Sequence, residues 1–136
     1  MIRVAIDTGP IVALLNSSDR HHRWAVKALD GLAPPLRTCE AVVSEACFLV
    51  RNLEGGADAV LALISRGLIV PDFQLQPELA GVRRLMAKYA SLPMSFADAC
   101  LVRMAELDHD LGILTLDSDF KVYRRGRRQL PIVAPD

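Results

Sequence analysis

The sequence predicts an α/β fold: a three-layer α/β/α sandwich around a short, mostly parallel central sheet of about five strands. Two observations carry this prediction. Several short apolar runs lack polar–apolar alternation, which is typical of strands that are buried on both faces. Helical stretches separate these runs, and such alternation favours a parallel sheet covered by helices on both sides.

The candidate strands are short apolar runs. Four are clear and a fifth is weaker: residues 2–6, 68–70, 113–116 and 132–133, with 36–38 as the weaker one. No repeat, linker or low-complexity tract interrupts them, so we expect residues 1–136 to form one domain.

Six helices are predicted between these runs. Pro10 suits the start of the first helix, with Thr8 or Gly9 as its cap. Asp19 is the expected cap of the second helix, and Glu40 that of the third. The remaining helices are expected at residues 57–66, 79–89 and 96–107.

The composition describes a globular chain without a strong charge bias. Hydrophobic residues make up 51% and charged residues 24%, with 16 acidic and 16 basic side chains. This balance excludes a domain with a wholly basic surface, so any contact with nucleic acid must be local. The chain shows no signal peptide and no apolar run long enough to span a membrane, from which we expect a cytoplasmic protein. The three cysteines have no metal-binding spacing and are expected to be free thiols.

Four acidic residues stand where strand and helix signals would bring them to one edge of the sheet: Asp7, Glu45, Asp98 and Asp117. Two carboxylates about 4 Å apart repel by roughly 4 kcal/mol at an effective dielectric constant of about 20. Such a cluster therefore requires protons or divalent cations. Three or four carboxylates without histidine or cysteine suit Mg²⁺ or Mn²⁺ better than zinc.

Each acid also has a structural interpretation. Ser95 and Asp98 have the spacing of a capping box, in which Asp98 would accept a backbone hydrogen bond. Asp117 or Asp119 could cap a short helix at residues 118–123. Glu45 has almost only apolar neighbours, so we expect its carboxylate to be paired, protonated or bound to a cation. A surface glutamate at a helix boundary is the alternative, and Glu40 is the competing acid for the same role.

Taken together, these segments resemble the PIN-domain nucleases, specifically the VapC-like toxins of type II toxin–antitoxin pairs. The most telling segments are SFADACLVRMAE and LTLDSDF, and the strand with Asp7 and Thr8 also matches. The resemblance implies an acidic site of Asp7, Glu45, Asp98 and Asp117. It implies Mg²⁺ or Mn²⁺ on Asp7, Asp98 and Asp117, supported by Thr8, Thr115 and Asp119. It also implies an RNA substrate and a cognate antitoxin.

Metal-dependent hydrolysis needs no side-chain nucleophile. One ion would activate a water molecule for attack on phosphorus, and a second would stabilise the leaving oxygen. RNA cleaved in this way carries 5′-phosphate and 3′-hydroxyl ends.

A basic segment follows the last acids of the cluster and consists of Lys121, Arg124, Arg125, Arg127 and Arg128. In a chain without net charge it is a local electrostatic footprint that would hold RNA phosphates beside the metal ions. A solvated loop and a protein interface are the alternatives.

Other functions fit only parts of the sequence. Asp7, Thr8 and Gly9 resemble the active-site loop of retroviral-type aspartic proteases, but that fold is all-β. A haloacid-dehalogenase-like phosphatase needs an acid where Gly9 stands. A housekeeping RNA-processing nuclease and a non-catalytic PIN-like binding module remain the alternatives. The mean hydropathy of +0.25 also indicates apolar surface for a partner, and we expect a homodimer.

Overall fold

The computed structural model describes residues 3–136 and confirms the α/β/α sandwich. Its strands are β1 (Arg3–Ile6), β2 (Leu36–Arg37), β3 (Ile69–Val70), β4 (Leu111–Leu114), β5 (Arg124–Arg125), β6 (Arg128–Gln129) and β7 (Ile132–Val133). Its helices are α1 (Thr8–Leu15), α2 (His22–Asp30), α3 (Glu40–Leu49), α4 (Gly56–Ser65), α5 (Leu75–Lys88) and α6 (Phe96–Leu107), with a 3₁₀ helix at Ser118–Lys121.

The central sheet has the order β3-β2-β1-β4-β7, and every neighbouring pair is parallel. The predicted strand at residues 113–116 was placed two residues too late, because Leu111 and Gly112 already pair with Arg3 and Val4 of β1. The first predicted strand included Ile2, which lies outside the described residues. β5 and β6 form a separate antiparallel hairpin.

Crossovers on opposite faces of the sheet create a switch point between β1 and β4. The chain moves outward from β1 to β2 and β3, with α1 to α4 packed together along this path. It then returns past β1 to β4 through α5 and α6, which pack on each other. Right-handed crossovers place these two groups of helices on opposite faces. In such sheets, ligands bind beyond the carboxyl ends of the strands at the switch point.

The starts of the first three helices differ from the prediction. Asp7, not Thr8 or Gly9, caps α1, because its Oδ1 atom accepts a hydrogen bond from the Thr8 N–H at 2.8 Å. The Asp19 carboxylate accepts a hydrogen bond from the His21 N–H, and His21, not Asp19, is the N-cap of α2. Cys39 is the N-cap of α3 and makes no side-chain cap bond, so the predicted cap at Glu40 is wrong.

Helices α5 and α6 pack on each other, and their starts compare differently with the prediction. Helix α5 begins at Leu75, four residues earlier than predicted, because Pro77 is tolerated in a first turn where N–H groups have no helical partner. Helix α6 has the predicted bounds. Two ion pairs join the helices: Arg103 of α6 binds Glu78 of α5 at 2.8 Å, and Arg84 of α5 binds Glu106 of α6 at 2.6 Å.

The three cysteines are free thiols, as predicted, with Cys39 and Cys100 buried and Cys47 half-buried. No helix within residues 3–136 is both long enough and apolar enough to cross a membrane.

Candidate active site

An acidic cavity of about 450 Å³ opens at the carboxyl ends of β1 and β4. Five of the residues that line it are acids: Asp7, Glu45, Asp98, Asp117 and Asp119. They come from a strand end, two helices and the 3₁₀ turn. The fold therefore brings together acids that are far apart in the sequence, at the switch point of the sheet.

Asp7 is the most firmly held of these acids. Its side chain is buried, with Oδ1 accepting from the Thr8 N–H and Oδ2 accepting from the Thr115 hydroxyl at 2.7 Å. Burial raises the pKa of Asp7 to about 6, although both hydrogen bonds favour the charged form; the charges of Asp98 and Asp117 raise the pKa further. Asp7 therefore lies in an environment that favours a proton or a cation.

Asp98 lies in the first turn of α6 and is also buried. Its backbone N–H donates to the Ser95 hydroxyl at 3.1 Å, which is one half of the predicted capping box. Its Oδ2 atom accepts from the Tyr123 hydroxyl at 2.9 Å, a contact that the sequence analysis missed. Burial raises the pKa of Asp98, and the Tyr123 hydrogen bond partly opposes this while the charge of Asp117 adds to it.

Thr115 connects Asp7 to the turn that carries the last two acids. Besides donating to Asp7, its hydroxyl accepts from the Asp117 N–H at 2.9 Å. Asp117 is exposed and caps the 3₁₀ helix, with Oδ1 accepting from the Asp119 N–H at 2.9 Å. Of the two candidate caps, Asp117 is therefore the one used.

Glu45 differs from its expected setting because it is exposed. The neighbouring apolar side chains Phe48 and Leu49 are themselves 61% and 53% exposed, so this part of α3 does not form an apolar enclosure. Glu45 nevertheless lines the acidic cavity, and its charge contributes to the raised pKa of Asp98. The competing acid Glu40 lines a different cavity, beside Pro71 and Asp72.

The donor chemistry of the cavity suits a hard divalent cation. All its charged groups are carboxylates. Thr8 also lines the cavity, and its buried hydroxyl has no hydrogen-bond partner within residues 3–136. In that same part of the chain, no three Asp, Glu, His or Cys side chains stand close enough to hold an ion as they are positioned. Since Asp117 and Glu45 are exposed, they are the carboxylates that can rotate inward toward an ion.

The predicted basic segment runs away from the cavity. Lys121 closes the 3₁₀ helix, and the Arg124 guanidinium donates to the carbonyls of Lys121, Val122 and Tyr123. The Arg125 guanidinium donates to the His109 carbonyl, beyond the C-terminal end of α6, at 2.9 Å. Arg127 and Arg128 follow in the hairpin and are exposed. Only the start of this segment lies beside the acids.

The fold and the cluster of acids define the class of protein. A sequence model of the PIN domain matches residues 4–126, and the chain belongs to the PIN-domain family. Among solved structures, the chain is similar to VapC20 of Mycobacterium tuberculosis, described as a toxin that cleaves the sarcin–ricin loop. The TM-score is 0.73 with 19% sequence identity, over 90% of this chain and 97% of VapC20. No curated protein matches the chain.

Proposed function

We propose that this PIN-domain protein is a Mg²⁺- or Mn²⁺-dependent endoribonuclease, and that it acts as the toxin of a toxin–antitoxin pair. One observation carries the proposal: five acidic side chains line one cavity at the switch point, and burial raises the pKa of Asp7 and Asp98. A carboxylate cluster of this kind is unfavourable in the free protein and becomes favourable around a divalent ion.

Within this proposal, Asp7, Asp98 and Asp117 hold the ion, and Glu45 and Asp119 complete the negative site. Bound Mg²⁺ or Mn²⁺ supplies an activated water molecule and offsets negative charge on the phosphate. Thr115 keeps the Asp7 carboxylate in place through its 2.7 Å hydrogen bond. Thr8 supports the same carboxylate through its backbone N–H, which donates to Asp7 Oδ1 at 2.8 Å. Hydrolysis would leave 5′-phosphate and 3′-hydroxyl ends.

The assignment of RNA and of a toxin role rests on the family and on the likeness to VapC20, a sarcin–ricin loop cleaving toxin. A toxin of this type requires a cognate antitoxin. An arginine of the antitoxin that reaches Asp7, Asp98 or Asp117 would pair with a carboxylate bidentately and take the place of the metal ion. The protein also offers exposed apolar side chains for a second copy of itself, such as Leu61 and Leu79.

The decisive experiment compares RNA cleavage by the wild-type protein and by Asp7→Asn, in Mg²⁺ or Mn²⁺ and in EDTA. We expect EDTA to abolish cleavage and Asp7→Asn to lower kcat/KM by about 100-fold or more, as when one preorganised group of an active site is removed. Asp58→Asn is the matched control, since Asp58 is exposed in the first turn of α4 and does not line the cavity.

Equal cleavage by the wild type and Asp7→Asn, or cleavage in EDTA, would reject the mechanism. RNA binding without cleavage at any metal concentration would favour the non-catalytic binding module. Cleavage confined to one precursor RNA, without growth arrest on expression, would favour a housekeeping nuclease over a toxin.

A further inference from the structure

We propose that the β5–β6 hairpin is a phosphate-binding site for the RNA backbone, placed so that the bound phosphates lie about four to five nucleotides from the cleaved bond. This inference rests on the proposed ribonuclease function and deepens it. It predicts that the substrate is an RNA long enough to span the length of α6, rather than a dinucleotide or a short single-stranded end.

The hairpin lies at the opposite edge of the sheet from the acidic cavity. Asp98 marks the cavity in the first turn of α6, whereas Arg125 bonds to His109 beyond the last turn. The exit of the hairpin agrees with this position. The Pro131 carbonyl accepts from the N–H of Ile113, the third residue of β4, and in this parallel pair the residues before Pro131 lie toward the amino-terminal edge of β4. Two independent contacts therefore fix the hairpin at this edge.

The charges of the hairpin are not balanced within the protein. Arg125 and Arg128 are directly opposite in the antiparallel register, and Arg127 lies in the turn between them. Like charges directly opposite on two strands are destabilising. None of the three forms a salt bridge with an acid in residues 3–136. A polyanion bound across the hairpin would relieve this repulsion.

The base of the hairpin is anchored to the rest of the protein. The Tyr89 hydroxyl accepts from the Arg124 N–H at 2.9 Å, and the Arg124 side chain donates to three consecutive carbonyls. Gly126 has φ +63° and makes the tight turn that a residue with a side chain rarely adopts. Exposed Arg127 and Arg128 are thus presented on a fixed support, which reduces the entropy lost when they bind a ligand.

The separation of the two sites sets the length of the RNA. From Asp98 to Leu107, the last residue of α6, the helical rise of 1.5 Å per residue gives about 14 Å, and His109 lies two residues further along the chain. Stacked nucleotides advance about 3.4 Å each along one strand, so this span corresponds to about four to five nucleotides. Lys121, exposed at the end of the 3₁₀ helix, lies in the segment that leads from the cavity to the hairpin.

The test is a binding experiment in EDTA, in which no cleavage is expected to interfere. Fluorescence anisotropy compares RNAs of about 20 and about 4 nucleotides. In the double variant Arg127→Glu/Arg128→Glu, we expect the affinity for the longer RNA to fall about tenfold or more. The affinity for the longer RNA divided by that for the shorter RNA should move toward one. The plot of the logarithm of the binding constant against the logarithm of the salt concentration should become shallower, with its absolute slope smaller by about 1 to 2.

Two further measurements separate RNA binding from a structural role. The melting temperature of the free double variant should not fall, because the Arg128→Glu substitution places a carboxylate opposite Arg125 in place of a second cation. Lys27→Glu/Arg66→Glu is the matched control with the same change of charge, since both side chains are exposed, on α2 and at the end of α4. This control variant should keep the wild-type ratio between the affinities for the longer and the shorter RNA.

Unchanged length dependence and salt slope in the hairpin variant would overturn the proposal. A fall in its melting temperature together with equal losses for both RNAs would assign the hairpin a structural role instead. Wild-type binding of polyglutamate as tightly as of RNA would point to an acidic protein partner. Because binding is measured without cleavage, these outcomes are independent of the Asp7→Asn cleavage assay.

Discussion

The Tyr123 hydroxyl donates to the Asp98 carboxylate at 2.9 Å, and both side chains are buried. The Tyr123 ring is fixed by edge-on contacts with Tyr89 and Phe120, whose ring centroids lie 5.0 and 5.2 Å away. The contact joins the segment after Asp117 to the first turn of α6, so two of the proposed metal ligands are positioned relative to each other. We infer that Tyr123 orients Asp98 in the cavity.

Tyr123→Phe should weaken Mn²⁺ binding in the absence of RNA by about 10–100-fold, as expected when a hydrogen bond that orients a metal ligand is removed. Isothermal titration calorimetry gives the affinity directly. Tyr89→Phe is the matched control: it removes the acceptor of the Arg124 N–H and should cost about 1 kcal/mol of stability without a comparable loss of Mn²⁺ affinity. Equal Mn²⁺ affinities for the wild type and Tyr123→Phe would refute the positioning role.

Asp7 should make stability depend on pH. Because burial raises its pKa to about 6 from an ordinary 3.8, the folded protein binds the proton more tightly than the unfolded chain. The resulting stabilisation is complete below about pH 4 and is lost as the pH rises through about 6. In EDTA at about pH 8, Asp7→Asn should therefore be more stable than the wild type by about 1–3 kcal/mol.

Urea unfolding of both proteins between about pH 4 and pH 8 measures this difference, which should shrink toward the acidic end. Saturating Mg²⁺ should make the wild type more stable than Asp7→Asn, because an ion that binds the folded, charged site stabilises only the wild type. A constant difference across the pH range would show that ionisation of Asp7 is not its cause.

Substitutions at Ser95 and Asp98 should distinguish the helix-capping role of this segment from its catalytic role. Ser95→Ala removes the acceptor of the Asp98 N–H and should lower stability by about 1 kcal/mol with the carboxylate retained. Asp98→Asn retains an oxygen for the Tyr123 hydroxyl but removes the charge, so RNA cleavage should fall by about 100-fold. Thermal unfolding and cleavage rates of the two variants test this. Full activity in Asp98→Asn would leave Asp98 with a structural role alone.

Exposed leucines on α4 and α5 should support a homodimer. Leu61 is 48% exposed and Leu79 is 46% exposed, and a stable interface buries at least about 1,200 Å² in total. Sedimentation at micromolar concentration should detect a species of twice the 14.9 kDa chain mass. Leu61→Glu/Leu79→Glu should sediment as the monomer. A wild-type protein that sediments only as a monomer would contradict the expectation.

Features determined by local chemistry were the ones predicted from the sequence. Asp7 and Asp117 follow strands that are parallel neighbours, so their placement at one edge of the sheet follows from the strand pattern. Helix α6 begins at Phe96 with Ser95 as its N-cap, as its capping signal indicates. By contrast, the bond from Tyr123 to Asp98 depends on how the 3₁₀ turn packs against α6.

The exposure of Glu45 and the position of the basic hairpin were also not predictable from local patterns. Apolar neighbours in the sequence suggested burial of Glu45, but Phe48 and Leu49 are on the surface. Proximity in sequence suggested that the arginines lie near Asp117, but the chain between β4 and β7 must return to the start of β4 to enter the sheet in parallel. That return carries the hairpin to the opposite edge.

The outermost strands of the sheet, Ile69–Val70 and Ile132–Val133, are only two residues long. Strands this short offer an incoming extended peptide few free backbone groups, so strand addition is an unfavourable way to capture a protein ligand. An inhibitor of this protein is therefore better built as a helix whose side chains fit the helical surfaces than as a β-strand mimic. The same short edges limit sheet-to-sheet growth, which favours a protein that stays dispersed when it is produced at high concentration.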